Sequence, residues 1–340
     1  MKEIYIPNLV DGHALDFCKI LNENDWEDDI LFNFSNVSTC NPFPMLIVGS
    51  TIKHMRNKYP DIKCKATKMD NSYAQHMRFY RFIGIPIGKS MDLDYGNNIY
   101  QPITDLKIGK SLEISKREKI PLGKAVTQKA CEIAKLITQG NDESLKMITF
   151  CIREMIRNIP EHSHSNEGFY CAQFWKSSRI VEVAIIDTGR GIRESFADNY
   201  FYSQQINNDY DALKLSLEPG ISRTFSPDEE QEIFEGEANI WKNSGYGLDQ
   251  VSQLCAFSGG RFTILSGNSA ICVEEDSRSG ELIKWNYNSY FSGTAIQMRM
   301  NIDKLNDFTY MKGKMKSSES KNDGFRHASK ASNPFSDEYL

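Results

Sequence analysis

The clearest indication of the fold is one stretch near the middle of the chain. It reads Ile180-Val181-Glu182-Val183-Ala184-Ile185-Ile186-Asp187-Thr188-Gly189-Arg190-Gly191-Ile192. The aliphatic, mostly β-branched run predicts a buried strand. Asp187 ends that strand, and its carboxylate can accept a hydrogen bond from an exocyclic amine such as that of adenine. Gly189 and Gly191 leave the following backbone free to approach a ligand. Taken alone, this pattern is also typical of ordinary turns at strand ends.

A second strand and a helix are predicted just upstream. Residues 169–175 are β-rich and are expected to form a hairpin with 180–186. Residues 145–159 have an apolar stripe at helical spacing. Glu154 and Asn158 lie four residues apart, on one face that flanks this stripe. That face either lines a cleft or is a solvated helix edge, and the pair alone does not decide between them.

Downstream, Gly245 and Gly247 precede a predicted helix that stops at Gly259-Gly260. Free amide protons and the positive end of the helix dipole make such a helix start suitable for phosphate. The motif is not a Walker loop, because no G-x-x-x-x-G-K occurs in the chain. Gly293-Thr294 then opens a predicted strand over 295–300, in which apolar residues alternate.

These four elements occur in a fixed order: E-x-x-x-N, D-x-G-x-G, G-x-G-L and G-T. Together they resemble the GHKL ATP-binding domain that gyrase, the heat-shock chaperone, histidine kinases and MutL share. The likeness covers about 111–305 and is nearest to the histidine kinases and anti-sigma-factor kinases. It implies an α+β protein whose carboxyl-terminal domain is a two-layer α/β sandwich, the Bergerat-type ATP-binding fold.

The resemblance also implies ATP and Mg²⁺ as cofactors. Asn158 would be the Mg²⁺ ligand, and Glu154 would orient or deprotonate a water that attacks the γ-phosphate. Asp187 would hold the adenine amine with support from Thr294, while Gly189 and Gly191 would pass close to the base.

The remaining implied contacts are to phosphate. Gly245, Gly247 and Leu248 form the motif that would cradle the phosphates. Residues 200–244 would form a mobile lid that carries a further candidate, Arg223. His162 is another candidate phosphate contact. Pro160 departs from the family pattern, and it predicts that the helix bends or ends early because proline disfavours helical geometry in the preceding residue.

The first 95 residues alternate predicted strands and helices, which indicates a smaller α/β domain. Expected strands cover 4–6, 29–34 and 62–66, and expected helices cover 14–22, 44–58 and 72–82. The strand, serine-bearing loop and helix around Ser38 and Thr39 resemble STAS domains, although either hydroxyl can equally serve as a cap. Residues 96–110 are expected to connect the domains, and 306–340 to form a flexible tail.

Composition limits the partners. With 40 basic and 45 acidic side chains the formal charge is −5, which does not favour nucleic acid or an anionic membrane as the main partner. No apolar run approaches the ~18 residues of a membrane helix, and no secretion signal is evident, so we expect a cytoplasmic protein. The eight cysteines show no metal-ligand spacing and are expected to be structural.

Two functions follow from the resemblance. The first is a regulatory ATPase or serine-kinase-type switch, whose ATP lid couples nucleotide state to a protein partner of unknown identity. The second is a nucleotide-gated binding module without significant turnover. Relatives often pair, so a homodimer is also an expectation. A third interpretation treats the glycines as turns and the acids as surface, and it predicts no nucleotide binding.

Overall fold

The computed structural model describes residues 1–88, 99–107, 122–138, 142–163, 167–221 and 245–319. The chain is a mixed α+β protein, as predicted. It contains a three-stranded sheet of order β1-β2-β3 and a five-stranded sheet of order β4-β5-β6-β8-β7. The strands are β1 (Lys2–Tyr5), β2 (Ile30–Asn33), β3 (Cys64–Thr67), β4 (Tyr100–Asp105), β5 (Gly168–Trp175), β6 (Ile180–Asp187), β7 (Arg261–Glu275) and β8 (Leu282–Asn301).

Helices accompany both sheets. They are α1 (Asp11–Glu23), α2 (Pro42–Lys58), α3 (Ser72–His76), α4 (Phe79–Phe82), α5 (Leu122–Lys135), α6 (Asp142–Asn158), α7 (Ile192–Ala197), α8 (Tyr200–Ser203), α9 (Asp209–Ser216), α10 (Gly247–Phe257), α11 (Ile302–Leu305) and α12 (Phe308–Glu319). A π-helical turn, Ile159–Ser163, follows α6. None of the helices in the described ranges has the length and apolarity needed to cross a membrane.

The amino-terminal unit is a β-α-β-α-β arrangement whose three strands are parallel. Ile4 pairs with Phe32, and Phe32 pairs with Ala66. The predicted strands and helices of this unit are all present, with one difference. The helix expected over 72–82 is divided into α3 and α4, because Arg78 adopts a left-handed conformation (φ 62°) between them.

The five-stranded sheet is antiparallel throughout and is buried on both faces. In β6, Val181, Val183 and Ile185 pack in the core formed with the carboxyl-terminal helices. Ala184 and Ile186 point the other way and join the core of the amino-terminal unit. The predicted hairpin of β5 and β6 is confirmed. Because odd positions of β6 face α6 and α10, Asp187 also points toward that side.

The expected connecting segment, 96–110, is not merely a linker: it contributes β4, which pairs with β5 at the edge of the large sheet. This strand contains Pro102 and has an irregular register between Gln101 and Thr104. An edge strand tolerates proline because one side of its backbone needs no ladder hydrogen bond. The prediction of a connecting segment is wrong here. The Pro and Gly residues of 96–110 indicate turns more strongly than a stretch of six residues indicates a strand.

The carboxyl-terminal expectation is also corrected. Within the expected tail, Phe308–Glu319 forms the helix α12, and Met311 and Met315 are buried in the main core. The rest of the expected tail, 320–340, lies outside the described residues. Similarly, β8 is 20 residues long and begins at Leu282, so Gly293-Thr294 lies inside this strand and does not open it.

Candidate functional site

A small cavity lies where the end of α6, the end of β6, the middle of β8 and the start of α10 meet. Five of the predicted site residues line it: Asn158, Asp187, Gly191, Leu248 and Thr294. Its other walls are mostly aliphatic and include Met155, Ile192, Ile264 and Ile296. The cavity holds about 30 Å³, which is room for a water molecule and not for a purine ring. A base can enter only if neighbouring side chains such as Ile192 and Leu248 move apart.

Asp187 is the buried polar group of this cavity, with 5% of the residue exposed. The backbone N–H of Gly189 donates to its Oδ1 at 2.9 Å, and Thr294 is its register partner on β8. Burial raises the pKa of Asp187 to about 7, although hydrogen bonds from Gly189 and Thr294 oppose the shift. A ligand that donates a further N–H to the ionised carboxylate would lower this pKa.

The glycines around Asp187 allow close approaches within the protein itself. A Cβ at Gly189 would overlap the carbonyl oxygen of Ser163, and one at Gly293 would overlap the carbonyl oxygen of Asp187. Gly191 has φ 57°, and its Cβ would lie 2.7 Å from Oγ of Ser266. Close contact with a base therefore stays a prediction for both glycines, because packing against Ser163 already explains Gly189 and the positive φ already explains Gly191.

Glu154 is 1% exposed, so the solvated-edge interpretation is wrong for this residue. Its carboxylate lies beside the first residue of α10, where a Cβ at Gly247 would be 2.8 Å from Oε2. Nη1 of Arg153 contacts the other carboxylate oxygen, Oε1. The structure thus brings the E-x-x-x-N and G-x-G-L motifs into direct contact, and the second glycine is needed because the acid fills the space of a side chain.

Asn158 is half-buried and is the last residue of α6. The early helix end predicted from Pro160 is confirmed, since a π-helical turn replaces the α-helix over Ile159–Ser163. This turn delivers Ser163 to the cavity, a residue that the sequence interpretation missed. Oγ of Ser163 donates to the carbonyl of Ile159 at 2.6 Å. The only available signal was proximity to Asn158, because a π turn cannot be read from helical spacing.

Other predicted residues are not brought to the cavity. Gly245 (φ 77°) packs instead against the backbone of Gly220 and Ile221. A Cβ added at Gly245 would lie 2.7 Å from the carbonyl carbon of each. His162 belongs to the π turn, but its side chain is not described, and Arg223 lies outside the described residues. The expected lid, 200–244, is folded as far as it is described: it forms α8 and α9 before the undescribed part, 222–244.

The oxygen donors around the cavity fit a metal site that water and phosphate complete. In the part of the chain that the structure describes, no group of three or more His, Cys, Asp or Glu side chains is placed to hold a metal. Mg²⁺, however, usually takes only one or two protein oxygens and completes its shell with water and substrate phosphates. The amide oxygen of Asn158 fits that limited role, whereas a closed protein site for zinc has no ligands here.

No protein-family profile, curated protein sequence or solved structure matches this chain.

Proposed function

We propose that this chain is a Mg-ATP-binding switch: a regulatory ATPase or serine-kinase-type protein in which bound nucleotide acts through residues 200–244 on a protein partner. We also propose that the large sheet has the Bergerat-type arrangement and that the amino-terminal unit is STAS-like. The observation that carries it is the convergence of Asn158, Asp187 and Leu248, from three distant parts of the chain, on one cavity.

The adenine end of the proposed site is the carboxyl of Asp187. A buried carboxylate gains from a further N–H donor, because an ionised group away from water needs hydrogen bonds. The adenine amine supplies such a donor. The aliphatic walls formed by Ile192, Ile264 and Ile296 suit the faces of a purine and exclude water from the hydrogen bond.

The phosphate end is formed by Asn158 and by Gly247, the first residue of α10. The N-terminus of this 11-residue helix provides amide donors and a positive potential for phosphate oxygens. Mg²⁺, when bound, neutralises phosphate charge, and Asn158 is the residue that would hold it. Glu154 lies beside Gly247 and is the group suited to orient or accept a proton from an attacking water.

A specific observation also favours the second candidate, a nucleotide-gated binding module without turnover. The carboxylate of Glu154 is in contact with the guanidinium of Arg153. A nearby cation stabilises the ionised carboxylate and weakens it as a proton acceptor. Turnover then requires Arg153 to release Glu154, whereas ATP-dependent recruitment of a partner does not.

Glu154→Gln separates the two functions, because it keeps the shape of the side chain and removes the base. Glu143→Gln on the same helix is the matched control, since Glu143 lies in the first turn of α6 and pairs there with Lys146. Phosphate release and Mg-ATP affinity are measured for all three proteins. For an ATPase we expect release to fall by about 10²-fold or more in Glu154→Gln, with little change in affinity or in the control.

A gated binding module gives a different result: no phosphate release from the unaltered protein, with Mg-ATP binding retained in every variant. The proposal as a whole fails if the unaltered protein shows no stabilisation by Mg-ATP. A ligand at 100 times its dissociation constant stabilises the folded state by about 2.7 kcal/mol, which thermal unfolding detects readily.

A further inference from the structure

A larger cleft opens in the amino-terminal unit, away from the cavity at Asp187. It holds about 690 Å³ and lies between the last turns of α2, the start of β3 and the segment after α4. It shares no lining residue with the cavity around Asp187. Any ligand of this cleft would therefore occupy a site separate from the proposed nucleotide site.

The cleft concentrates positive charge. Four basic side chains line it, namely Lys53, Arg56, Lys63 and Lys65, and no Asp or Glu belongs to its described lining. The chain as a whole has a formal charge of −5, so this arrangement does not reflect a basic composition. Like charges gathered in one cleft repel each other, and an anion between them relieves that repulsion.

Two of these cations are held in position by the protein. Nη1 of Arg56 donates to the carbonyl oxygen of Ile83 at 2.5 Å, which fixes the guanidinium against the wall. Because arginine has five N–H donors, one such bond leaves further donors for a ligand. The ammonium of Lys53 lies 4.6 Å from the ring centre of Phe82 and 4.5 Å from that of Phe169.

Burial lowers the pKa of Lys53, while the carboxylates of Glu167 and Asp105 act in the opposite direction. The shift marks a partly desolvated ammonium, which gains more from an anion than a fully hydrated one does. Lys63 and Lys65, by contrast, are exposed and stand two residues apart, about 7 Å along the strand. Pro60 and Ile62 give the same cleft an apolar part.

Ordinary structural roles explain some of this charge but not its convergence. Arg56 belongs to the last turn of α2, where a cation complements the helix dipole. Lysine on β3, an edge strand of the small sheet, also discourages pairing with other chains. Neither role requires cations from a helix and from a strand to line the same cleft.

We propose that this cleft binds a small soluble anion that carries two or more phosphoryl groups. Arg56 supplies a planar fork that matches phosphate oxygens, and the lysines supply point charges around it. Several separated cations suit a diphosphate better than a single carboxylate.

Inorganic pyrophosphate is the probe, titrated calorimetrically into the full chain. The test variant is the double substitution Lys63→Ala and Lys65→Ala, at two exposed positions. The control is Lys135→Ala with Lys176→Ala, also at exposed positions, because it changes the net charge by the same amount. Matching urea midpoints show that each variant is folded.

We expect pyrophosphate to bind the unaltered chain and the control alike, and to bind the test variant at least tenfold more weakly. Equal affinity in the test variant, equal weakening in both variants, or no binding to the unaltered chain would overturn the proposal. Sedimentation with vesicles of phosphatidylcholine and phosphatidic acid tests whether the bound phosphate belongs to a lipid. Vesicle binding that depends on Lys63 and Lys65, without pyrophosphate binding, also overturns the proposal of a soluble anion.

Discussion

Replacing Asp187 by Asn should stabilise the folded protein while it weakens nucleotide binding. The carboxyl is 5% exposed, and burial raises its pKa from 3.8 to about 7. Between about pH 4 and pH 7 the unfolded chain ionises this group, whereas the folded chain keeps it largely protonated. The free energy of unfolding therefore falls as pH rises from about 4 to about 7, and it stays lowered above that range. Asparagine has no such titration.

The magnitude follows from the size of the shift. A difference of about three pKa units corresponds to on the order of 4 kcal/mol at pH values above 7. At pH 5.5 the same linkage gives roughly half of that value, on the order of 2 kcal/mol. We therefore expect the advantage of Asp187→Asn over the unaltered protein to grow by about 2 kcal/mol between pH 5.5 and pH 8.5.

Urea unfolding followed by tryptophan fluorescence measures this difference at the two pH values. A constant difference between the two proteins would show that the carboxyl is not desolvated in the folded state. A difference that shrinks as pH rises would show that the ionised form is the one that the fold stabilises. Either result refutes the description of Asp187 as a buried carboxyl whose ionised form is desolvated.

Three further expectations follow from the same contacts. The affinity for Mg-ATP should rise about tenfold between pH 6 and pH 8, because only the ionised form of Asp187 accepts the adenine amine; a flat profile in calorimetric titrations contradicts this. Gly247→Ala should lower the free energy of unfolding in urea by about 1–3 kcal/mol, since its Cβ would lie 2.8 Å from the carboxylate of Glu154. Gly123→Ala, with open space around it, should not lower it. Glu182→Ala should lower the free energy of unfolding by about 1–3 kcal/mol in the same assay, because the buried N–H of Phe43, which donates to this carboxylate at 2.9 Å, would lose its acceptor; no loss would show that the contact contributes little.

The parts of the fold that the sequence predicted are those with strong local patterns. The apolar stripe of α6 and the aliphatic run of β6 each fix an element and its buried face without help from distant residues. Pro160 correctly predicted the end of α6, because the effect of proline on the preceding residue is local. The α-β alternation of the first 88 residues was predictable for the same reason.

The features that were missed depend on tertiary contacts. β4 contains Pro102 and becomes a strand only by pairing with β5. Met311 and Met315 are too few to give a clear helical period, yet both are buried by neighbouring elements. Glu182 was part of an apolar run, and nothing in that run indicates a hydrogen bond to Phe43, which is 139 residues away.

For the candidate site, the sequence indicated which residue types to combine but not their distances. The motifs around Asn158, Asp187 and Leu248 line one cavity, while Gly245 packs against Gly220 and Ile221. Ser163 enters through a π turn that no periodic pattern predicts. The contact of Arg153 with Glu154 was equally hidden, because adjacent residues on a helix rarely face each other.

We propose that the cavity beside Asp187 selects adenine nucleotides through a carboxylate that accepts the exocyclic amine. Calorimetric titration of the full chain with Mg-ATP and with Mg-GTP tests it most directly. We expect one Mg-ATP per chain and at least tenfold weaker binding of Mg-GTP, whose base presents a carbonyl oxygen in place of the adenine amine. Equal affinities for the two nucleotides, or the absence of Mg-ATP binding, would contradict the claim.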